Sequence, residues 1–423
     1  MEFKSVSDYL TSLEAKATLP KGFKTSSVGF TFFPKERPVD KPLPMKLNLL
    51  LLDEPTASFA GAFTQNAFPG APVILGREIL QQPQVQGVLI NNKISNVGSP
   101  TGVEDSRRLC TATEGLLQCS SLFPSSTGII GWSLPVPEME GALPGLVEGL
   151  QSLSALPLAQ GIMTTDSYPK LSSITLGEGR ILGVAKGAGM IEPNLATMLV
   201  FLVTDIKVSR EELRGILSRV IQRSFNSISV DSDQSTSDTV LAFSSNHYDA
   251  PSLGAFEAAL ELVCLDLAKN IVRNGEGTSH VLDVTVSGAP DYTLDRDAAK
   301  AVVNSPLVKT AIYGNDPNLG RLVSSLGDFW GNKGLKLDST RLQVTLGGET
   351  VFSEGAFRLD KEKELRLSLA MKTALLPEKK EGFPPHSRSV EITFDLGLGN
   401  AKAQVWGSDL SHEYIHENAD YRS

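Results

Sequence analysis

Continuous apolar runs alternate with amphipathic segments along most of the chain. Apolar runs at residues 47–52, 86–90 and 128–132 predict buried strands, and residues 104–118 place Leu and Ala side chains on one face of a predicted helix. Another helical stretch is predicted near the start, at residues 5–16. Strands that alternate with helices are typical of α/β proteins, so the pattern predicts an α/β fold.

The clearest local unit begins at Thr197. The apolar run 198–203 predicts a strand that is covered on both faces. Ser209 and Glu212 have the spacing of a capping box, which predicts the start of an amphipathic helix. A second helix, apolar over most of its length, is predicted at 255–272 and should be largely buried.

The pattern changes after about residue 280, where short strands predominate. Strands are predicted at 280–287, 341–346, 364–369 and 389–394, with a helix at 297–304. This arrangement indicates a second lobe of the α+β type. We therefore expect a main lobe at about 20–280 and a second lobe at 281–423.

Composition and charge exclude several classes of protein. A chain of 423 residues, 41% hydrophobic and 21% charged, is long enough for two or three folded lobes. Its net charge of −9 and its scattered Lys and Arg residues argue against a nucleic-acid partner. No apolar run approaches the roughly 18–20 residues that cross a membrane. Because the N-terminus also lacks a signal pattern, we expect no membrane partner and a cytoplasmic location.

Neither the cysteines nor the histidines indicate a metal site. Cys110, Cys119 and Cys264 lack C-x-x-C spacing and are expected to be small buried hydrophobic residues. His412 to His416 spell H-E-x-x-H, a zinc-protease motif, but that site needs a long helix and a third ligand, and only seven residues follow His416. We expect no metal, and a surface turn at this position.

The segment before Thr197 is unusual for a structural linker. Three glycines between residues 183 and 189 permit close backbone approach, Pro193 fixes one φ, and the small Ala196 directly precedes Thr197. The hydroxyl of Thr197 can attack the preceding carbonyl in an N-to-O acyl shift, and hydrolysis of the ester then cuts the chain between Ala196 and Thr197. The freed α-amine has a reference pKa of about 7.7–8.0 and can accept the proton of the same residue's hydroxyl. Thr197 is therefore the candidate nucleophile.

An acyl-transfer nucleophile also needs hydrogen-bond donors for the developing oxyanion. Residues 125–131 supply two candidates, because Thr127 has a hydroxyl and Gly128 has an unobstructed backbone N–H. Such turns are common in α/β proteins, so the motif is weak by itself.

Several longer motifs accompany the stretch Ala185-Lys-Gly-Ala-Gly-Met-Ile-Glu-Pro-Asn-Leu-Ala-Thr-Met-Leu199. They lie at residues 161–166, 229–240, 275–277, 313–321 and 418–423. In sequence and in order they resemble the ornithine acetyltransferase family, also called glutamate N-acetyltransferase. The resemblance extends from about residue 21 to the last residue.

This resemblance implies an α/β layered sandwich of the self-processing, N-terminal-nucleophile type. Cleavage would leave fragments 1–196 and 197–423, which assemble as an α2β2 heterotetramer. The implied reaction is a ping-pong transfer, in which N-acetylornithine acetylates Thr197 and glutamate then removes the acetyl group, within arginine synthesis. It needs no cofactor, although acetyl-CoA is an alternative donor in such enzymes.

The resemblance also implies a role for each matching residue. Thr197 is the nucleophile, Thr127 and Gly128 are the oxyanion donors, and the substrate contacts are Thr164, Lys186, Glu276, Asn418 and Ser423. Lys186 suits the carboxylate of an amino acid and Glu276 suits its amine. Asn418 and Ser423 require the C-terminal tail to reach the site.

Two other interpretations stay open. A self-processing aminopeptidase or amidase of related architecture would pass the acyl group to water instead of an amine. A non-catalytic relative would keep the fold for binding or assembly. The second interpretation is motivated by residues 91–102, which lack the small-residue pattern of the family.

Overall fold

The computed structural model describes residues 2–192, 198–377 and 382–420. Within these ranges the strands, numbered in chain order, are β1 (Phe23–Phe32), β2 (Leu43–Thr56), β3 (Phe59–Phe63), β4 (Val85–Asn91), β5 (Leu122–Ser126), β6 (Lys170–Leu176), β7 (Gly179–Lys186), β8 (Leu199–Ile206), β9 (Ile228–Ser229), β10 (Thr239–Tyr248), β11 (Val281–Ser287), β12 (Gln343–Leu346), β13 (Glu349–Ser353), β14 (Ala356–Phe357), β15 (Val390–Asp395) and β16 (Lys402–Ser408).

The helices of the same ranges are also numbered in chain order. They are α1 (Val6–Glu14), α2 (Ala71–Ile79), α3 (Gly102–Leu117), α4 (Val136–Glu148), α5 (Leu156–Gly161), α6 (Arg210–Arg223), α7 (Leu253–Arg273), α8 (Tyr292–Asn304), α9 (Pro306–Tyr313), α10 (Leu319–Asn332), α11 (Lys361–Thr373) and α12 (His412–Asp420). A short 3-10 turn spans Phe225–Ser227.

Four layers form the main lobe. Sheet A has the strand order β1-β2-β4-β5, and sheet B has the order β3-β10-β8-β7-β6. The facing side chains of the two sheets form one buried cluster, which includes Leu50 and Phe123 of sheet A and Phe201 and Phe243 of sheet B. Helices α3 and α4 cover the outer face of sheet A, and α6 and α7 cover the outer face of sheet B. The predicted layered α/β fold is confirmed.

Strand β8 lies in the middle of sheet B, which explains its unbroken apolar sequence. Successive side chains alternate between faces, so Phe201 contributes to the cluster between the sheets and Leu202 to the cluster beneath α6 and α7. The helix that follows begins with the predicted capping box. Ser209 accepts from the backbone N–H of Glu212, and the Glu212 carboxylate accepts from that of Ser209. Both predictions for this unit are confirmed.

A seven-stranded sheet C follows in the chain, with the order β14-β13-β12-β15-β11-β16-β9. Its core packs against α8, α10 and α11 through Val302, Leu326 and Leu367. One edge strand of this sheet, β9, lies in the segment that follows α6. It pairs in parallel with β16. A segment between α6 and β10 therefore forms one edge of sheet C.

One predicted strand, at residues 128–132, is wrong. The strand lies earlier, as β5, and ends at Ser126. Gly128 has φ +126°, a left-handed conformation that breaks the strand and turns the chain.

A second predicted strand, at 364–369, is a helix. Asp360 caps α11 by accepting from the N–H of Lys363 at 2.9 Å. Leu367 and Met371, four residues apart, are its buried positions. Leucines at every second position are typical of a strand, but the helix does not bury its side chains with that spacing. Five further helices are not predicted from the sequence, namely α2, α4, α5, α9 and α10.

Two smaller expectations concern cysteines and membranes. Cys110 and Cys264 are buried as expected, whereas Cys119 is partly exposed. Among the described residues, none of the helices is long and apolar enough to cross a membrane.

Candidate active site

One pocket gathers six of the predicted site residues: Thr127, Gly128, Thr164, Lys186, Glu276 and Asn418. Its volume is about 180 Å³. Ala196, Thr197 and Ser423 lie outside the described residues. Met198, which follows Thr197 in the chain, lines the pocket. Residues that are up to 291 positions apart (418 minus 127) in the sequence are thus brought together.

The turn after β5 forms one wall of the pocket. Thr127 donates its backbone N–H to the carbonyl of Asn91 at 3.1 Å, which fixes the turn against the end of β4. A Cβ on Gly128 would overlap the backbone of Lys93, so only glycine fits there. The residues from Asn91 to Ile94 therefore lie directly behind the two candidate oxyanion donors.

Lys186 ends β7 and projects its ammonium group to the same turn. Its Nζ donates to Oγ1 of Thr127 at 3.1 Å. In the antiparallel register, Lys186 pairs with Leu199, two residues beyond Thr197 in the chain. A cation beside the candidate oxyanion donors favours the binding of negative charge at this end of the pocket.

A buried ion pair holds the loops around Lys186. Asp166 accepts from Nζ of Lys170 at 2.6 Å, from the N–H of Gly187 at 2.8 Å and from the N–H of Thr164 at 3.1 Å. Lys170 also donates to Oδ1 of Asn274 at 2.7 Å, and both charged side chains are completely buried. This cluster joins three loops of the pocket.

The ionisation of Asp166 depends on its neighbours. Burial opposes it, but the charges of Lys170 and Lys186 and the hydrogen bonds hold the pKa of Asp166 below its usual range. Burial lowers the pKa of Lys170, and the nearby carboxylate opposes that change. The pair was not predicted from the sequence, although Asp166 ends the motif at 161–166 and Lys170 follows four residues later.

Glu276 lies on the loop after α7, between two glycines. Its N–H donates to the carbonyl of Ala188 at 2.8 Å. A Cβ on Gly189 would overlap the Glu276 carboxylate, so the glycine-rich segment before Thr197 makes room for this side chain. Gly277 has φ +60°, a left-handed conformation that suits glycine. The loop thus presents one carboxylate to the pocket that Lys186 also lines.

A second carboxyl group of the pocket, Asp238, was not assigned a role from the sequence. It directly precedes β10, beside Met198, whose carbonyl accepts from the N–H of Thr239 at 2.9 Å. Asp238 is 2% exposed, and its Oδ2 has no hydrogen-bond partner among the described residues. Burial raises the pKa of Asp238 well above the usual range, and Lys186 opposes this. In the sequence Asp238 lies within the motif at 229–240, where no chemical role was predicted for it.

The C-terminal segment reaches the pocket through Asn418, which lies on α12. The expectation of a surface turn at 412–416 is wrong, because His412 to His416 begin this helix. His412 contacts the hydroxyl of Tyr313, and His416 lies near Asp420. Within 2–192, 198–377 and 382–420, no group of three or more His, Cys, Asp or Glu side chains is placed to hold a metal.

Comparison with known proteins gives consistent matches over most of the chain. The model of the ArgJ family matches residues 41–423. The chain is similar to arginine biosynthesis bifunctional protein ArgJ 2 of Clostridium acetobutylicum, with 34% identity over 89% of this chain and 93% of that one. It is also similar to arginine biosynthesis bifunctional protein ArgJ of Gluconobacter oxydans, with 37% identity over 86% of this chain and 85% of that one. A crystal structure of arginine biosynthesis bifunctional protein argJ from Bacillus halodurans aligns with 52% of this chain and 98% of that one, at 32% identity and a TM-score of 0.46.

Proposed function

The chain is an acyltransferase that belongs to the ArgJ family, and on this premise we propose that it moves the acetyl group of N-acetylornithine to glutamate through an acetyl ester of Thr197. The relatives are named arginine biosynthesis bifunctional proteins, so the reaction belongs to arginine synthesis. The observation that carries the proposal is the pocket itself. It combines a cation, a carboxylate and a turn with candidate oxyanion donors beside Met198, the neighbour of Thr197.

Each half-reaction uses the same groups. The Thr197 hydroxyl attacks the acetyl carbonyl, the bond between that carbonyl and the ornithine nitrogen breaks, and the hydroxyl proton passes through the Thr197 α-amine to the leaving amine. Glutamate then attacks the ester with its amine, the ester C–O bond breaks, and a proton returns to Thr197. Thr127 and Gly128 donate to the oxyanion in both steps. No cofactor takes part.

Recognition of the amino-acid part of both substrates follows from charge. Lys186 pairs with the substrate carboxylate, and Glu276 accepts hydrogen bonds from the substrate amine. Thr164, Asn418 and Ser423 complete the contacts. The support for this assignment is that Lys186 and Glu276 line the same pocket, since a zwitterionic amino acid needs one group of each sign.

The free α-amine of Thr197 requires cleavage of the chain after Ala196. We propose that this cleavage is autocatalytic, that the fragments stay together as an α2β2 heterotetramer, and that the enzyme works in the cytoplasm. Acetyl-CoA is a candidate second donor. The bifunctional names of the relatives support a second activity of this kind.

Ornithine release from N-acetylornithine, measured with and without glutamate, tests the reaction. Release that depends on glutamate and yields N-acetylglutamate supports transfer, whereas equal release without glutamate indicates hydrolysis by an amidase. Lys186→Met should raise the KM for N-acetylornithine about ten- to hundredfold, because it removes a charge-assisted hydrogen bond. Lys207→Met is the matched control, since Lys207 pairs with exposed Asp249 outside the pocket.

A further inference from the structure

Helix α12 carries Asn418 but has no apolar face against the core. None of its side chains from His412 to Asp420 is buried, and Ile415 is 59% exposed. Helices in proteins are ordinarily held by burial of one apolar face. The helix is held instead by contacts of its first turn, such as that of His412 with Tyr313, and by contacts at its base, where it leaves β16.

A buried polar cluster occupies that base. The Asp409 carboxylate accepts from the N–H of Ser279 at 2.9 Å, from the hydroxyl of Ser279, and from Nδ1 of His280 at 2.8 Å. The Asp409 N–H in turn donates to the carbonyl of His280 at 3.1 Å. All three residues are at most 5% exposed. The cluster joins the segment after β16 to the segment that follows Glu276.

A second contact is made by Ser411, which follows Asp409 by two residues. Ser411 donates its hydroxyl to the carbonyl of Gly277 at 2.5 Å and accepts from the N–H of Tyr414 at 3.0 Å. A Cβ on Gly277 would overlap the backbone of Tyr414, so the first turn of α12 rests directly on the glycine beside Glu276. Displacement of the helix base would thus move two pocket residues relative to each other.

We propose that Ser279, His280 and Asp409 are positioning residues, which anchor α12 to the Glu276 loop and so set the separation of Glu276 and Asn418 in the pocket. The proposal rests on the proposed function, in which those two side chains contact an amino-acid substrate. The cluster lies at the end of the β11–β16 ladder, directly beyond the pair Val281 and Ser408. It is buried, and the hydrogen bonds of the Asp409 carboxylate run between these two segments.

The electrostatics of the cluster support an anchor. Three donors converge on one carboxylate, which compensates its burial. Lys309 lies beneath it and donates to the carbonyls of Ser408 and Val230 at 2.5 and 2.8 Å. Its positive charge interacts favourably with Asp409. Asp409→Asn therefore keeps the size of the side chain but turns an NH2 group toward a donor.

The test compares Asp409→Asn and Ser411→Ala with Glu413→Gln, an exposed residue of the same helix. We expect the first two variants to raise the KM for N-acetylornithine about tenfold or more, with little change in kcat or in self-cleavage, because loss of one buried hydrogen bond is an effect of that size. Ser411→Thr, which keeps the hydroxyl, should restore the wild-type KM. Unchanged KM in Asp409→Asn, with Glu413→Gln as reference, would overturn the proposal, whatever the result for Ser411→Ala.

Hydrogen exchange of the amides at 412–420 tests the anchor without any assay of activity. Exchange should become faster in Asp409→Asn and Ser411→Ala but not in Glu413→Gln. Equal exchange in all three variants would overturn the proposal even if the KM values changed. If the wild-type chain neither cleaves nor transfers acetyl groups, the proposed function fails, while the exchange result still decides whether α12 is anchored here.

Discussion

Replacement of Asp166 by Asn removes the negative charge from the buried cluster behind the pocket. The side chains of Asp166 and Lys170 are completely buried, so the ammonium group of Lys170 would remain in the interior without its counter-ion. Asn also offers one acceptor oxygen, whereas Asp166 accepts from Gly187, Thr164 and Lys170. Loss of one partner of a buried ion pair costs about 3–5 kcal/mol, and we expect the free energy of unfolding to fall by that amount.

Urea denaturation at pH 7, followed by tryptophan fluorescence, measures this loss. The matched control is Asp53→Asn, because Asp53 pairs with Lys24 at a similar distance, 2.8 Å, but the two side chains are 49% and 43% exposed. An exposed pair contributes about 0–1 kcal/mol. If Asp166→Asn and Asp53→Asn lower the stability equally, the buried pair does not stabilise the fold and the reasoning is refuted.

A second substitution and a pH series sharpen the experiment. Adding Lys170→Met to Asp166→Asn should recover part of the lost stability, because the uncompensated cation is then removed. The pKa of Asp166 is held below its usual value, so its contribution is complete above the unfolded-state pKa of about 3.9 and is lost as the pH falls toward the lower folded-state pKa. This acid-side loss should be weaker in Asp166→Asn.

The remaining predictions concern one buried carboxyl group and two glycines. Burial raises the pKa of Asp295 to about 6, so ionisation of this carboxyl group destabilises the fold above that pH. Urea denaturation at pH 8 should therefore show Asp295→Asn to be more stable than wild type by roughly 1–3 kcal/mol. This difference in stability should disappear below about pH 4. Gly128→Ala should lower kcat about a hundredfold or more by displacing the oxyanion donors, whereas Gly131→Ala, also at positive φ but facing open space, should leave kcat nearly unchanged. Gly277→Ala should raise the KM and lower the melting temperature, because its Cβ overlaps the first turn of α12; an unaltered KM would contradict the contact.

The sequence was most informative where local chemistry and fold agree. The apolar run of β8 and the capping box of α6 predicted both elements, because burial on two faces and side-chain capping leave direct marks in the sequence. Motifs around Lys186 and Glu276 predicted the pocket side chains that the fold brings together. Their roles in catalysis stay predictions.

Other features depend on contacts that no local pattern encodes. Lys170 meets Asn274 across 104 positions, and Asp409 meets Ser279 across 130. Buried polar groups of this kind form their hydrogen bonds with one another only after the chain has folded. In the sequence, each of these residues therefore looks like an ordinary surface side chain. The error at α11 also arises from contacts that a local pattern does not show. The alternating leucines indicate a strand, whereas capping and packing stabilise a helix.

Autocatalytic cleavage at Thr197 is the central claim, and a denaturing gel with N-terminal sequencing tests it most directly. The wild-type chain should yield fragments of 196 and 227 residues (423 minus 196), and the heavier fragment should begin Thr-Met-Leu. Thr197→Ala should give one full-length band. A single full-length band from wild-type protein that transfers acetyl groups would contradict the claim.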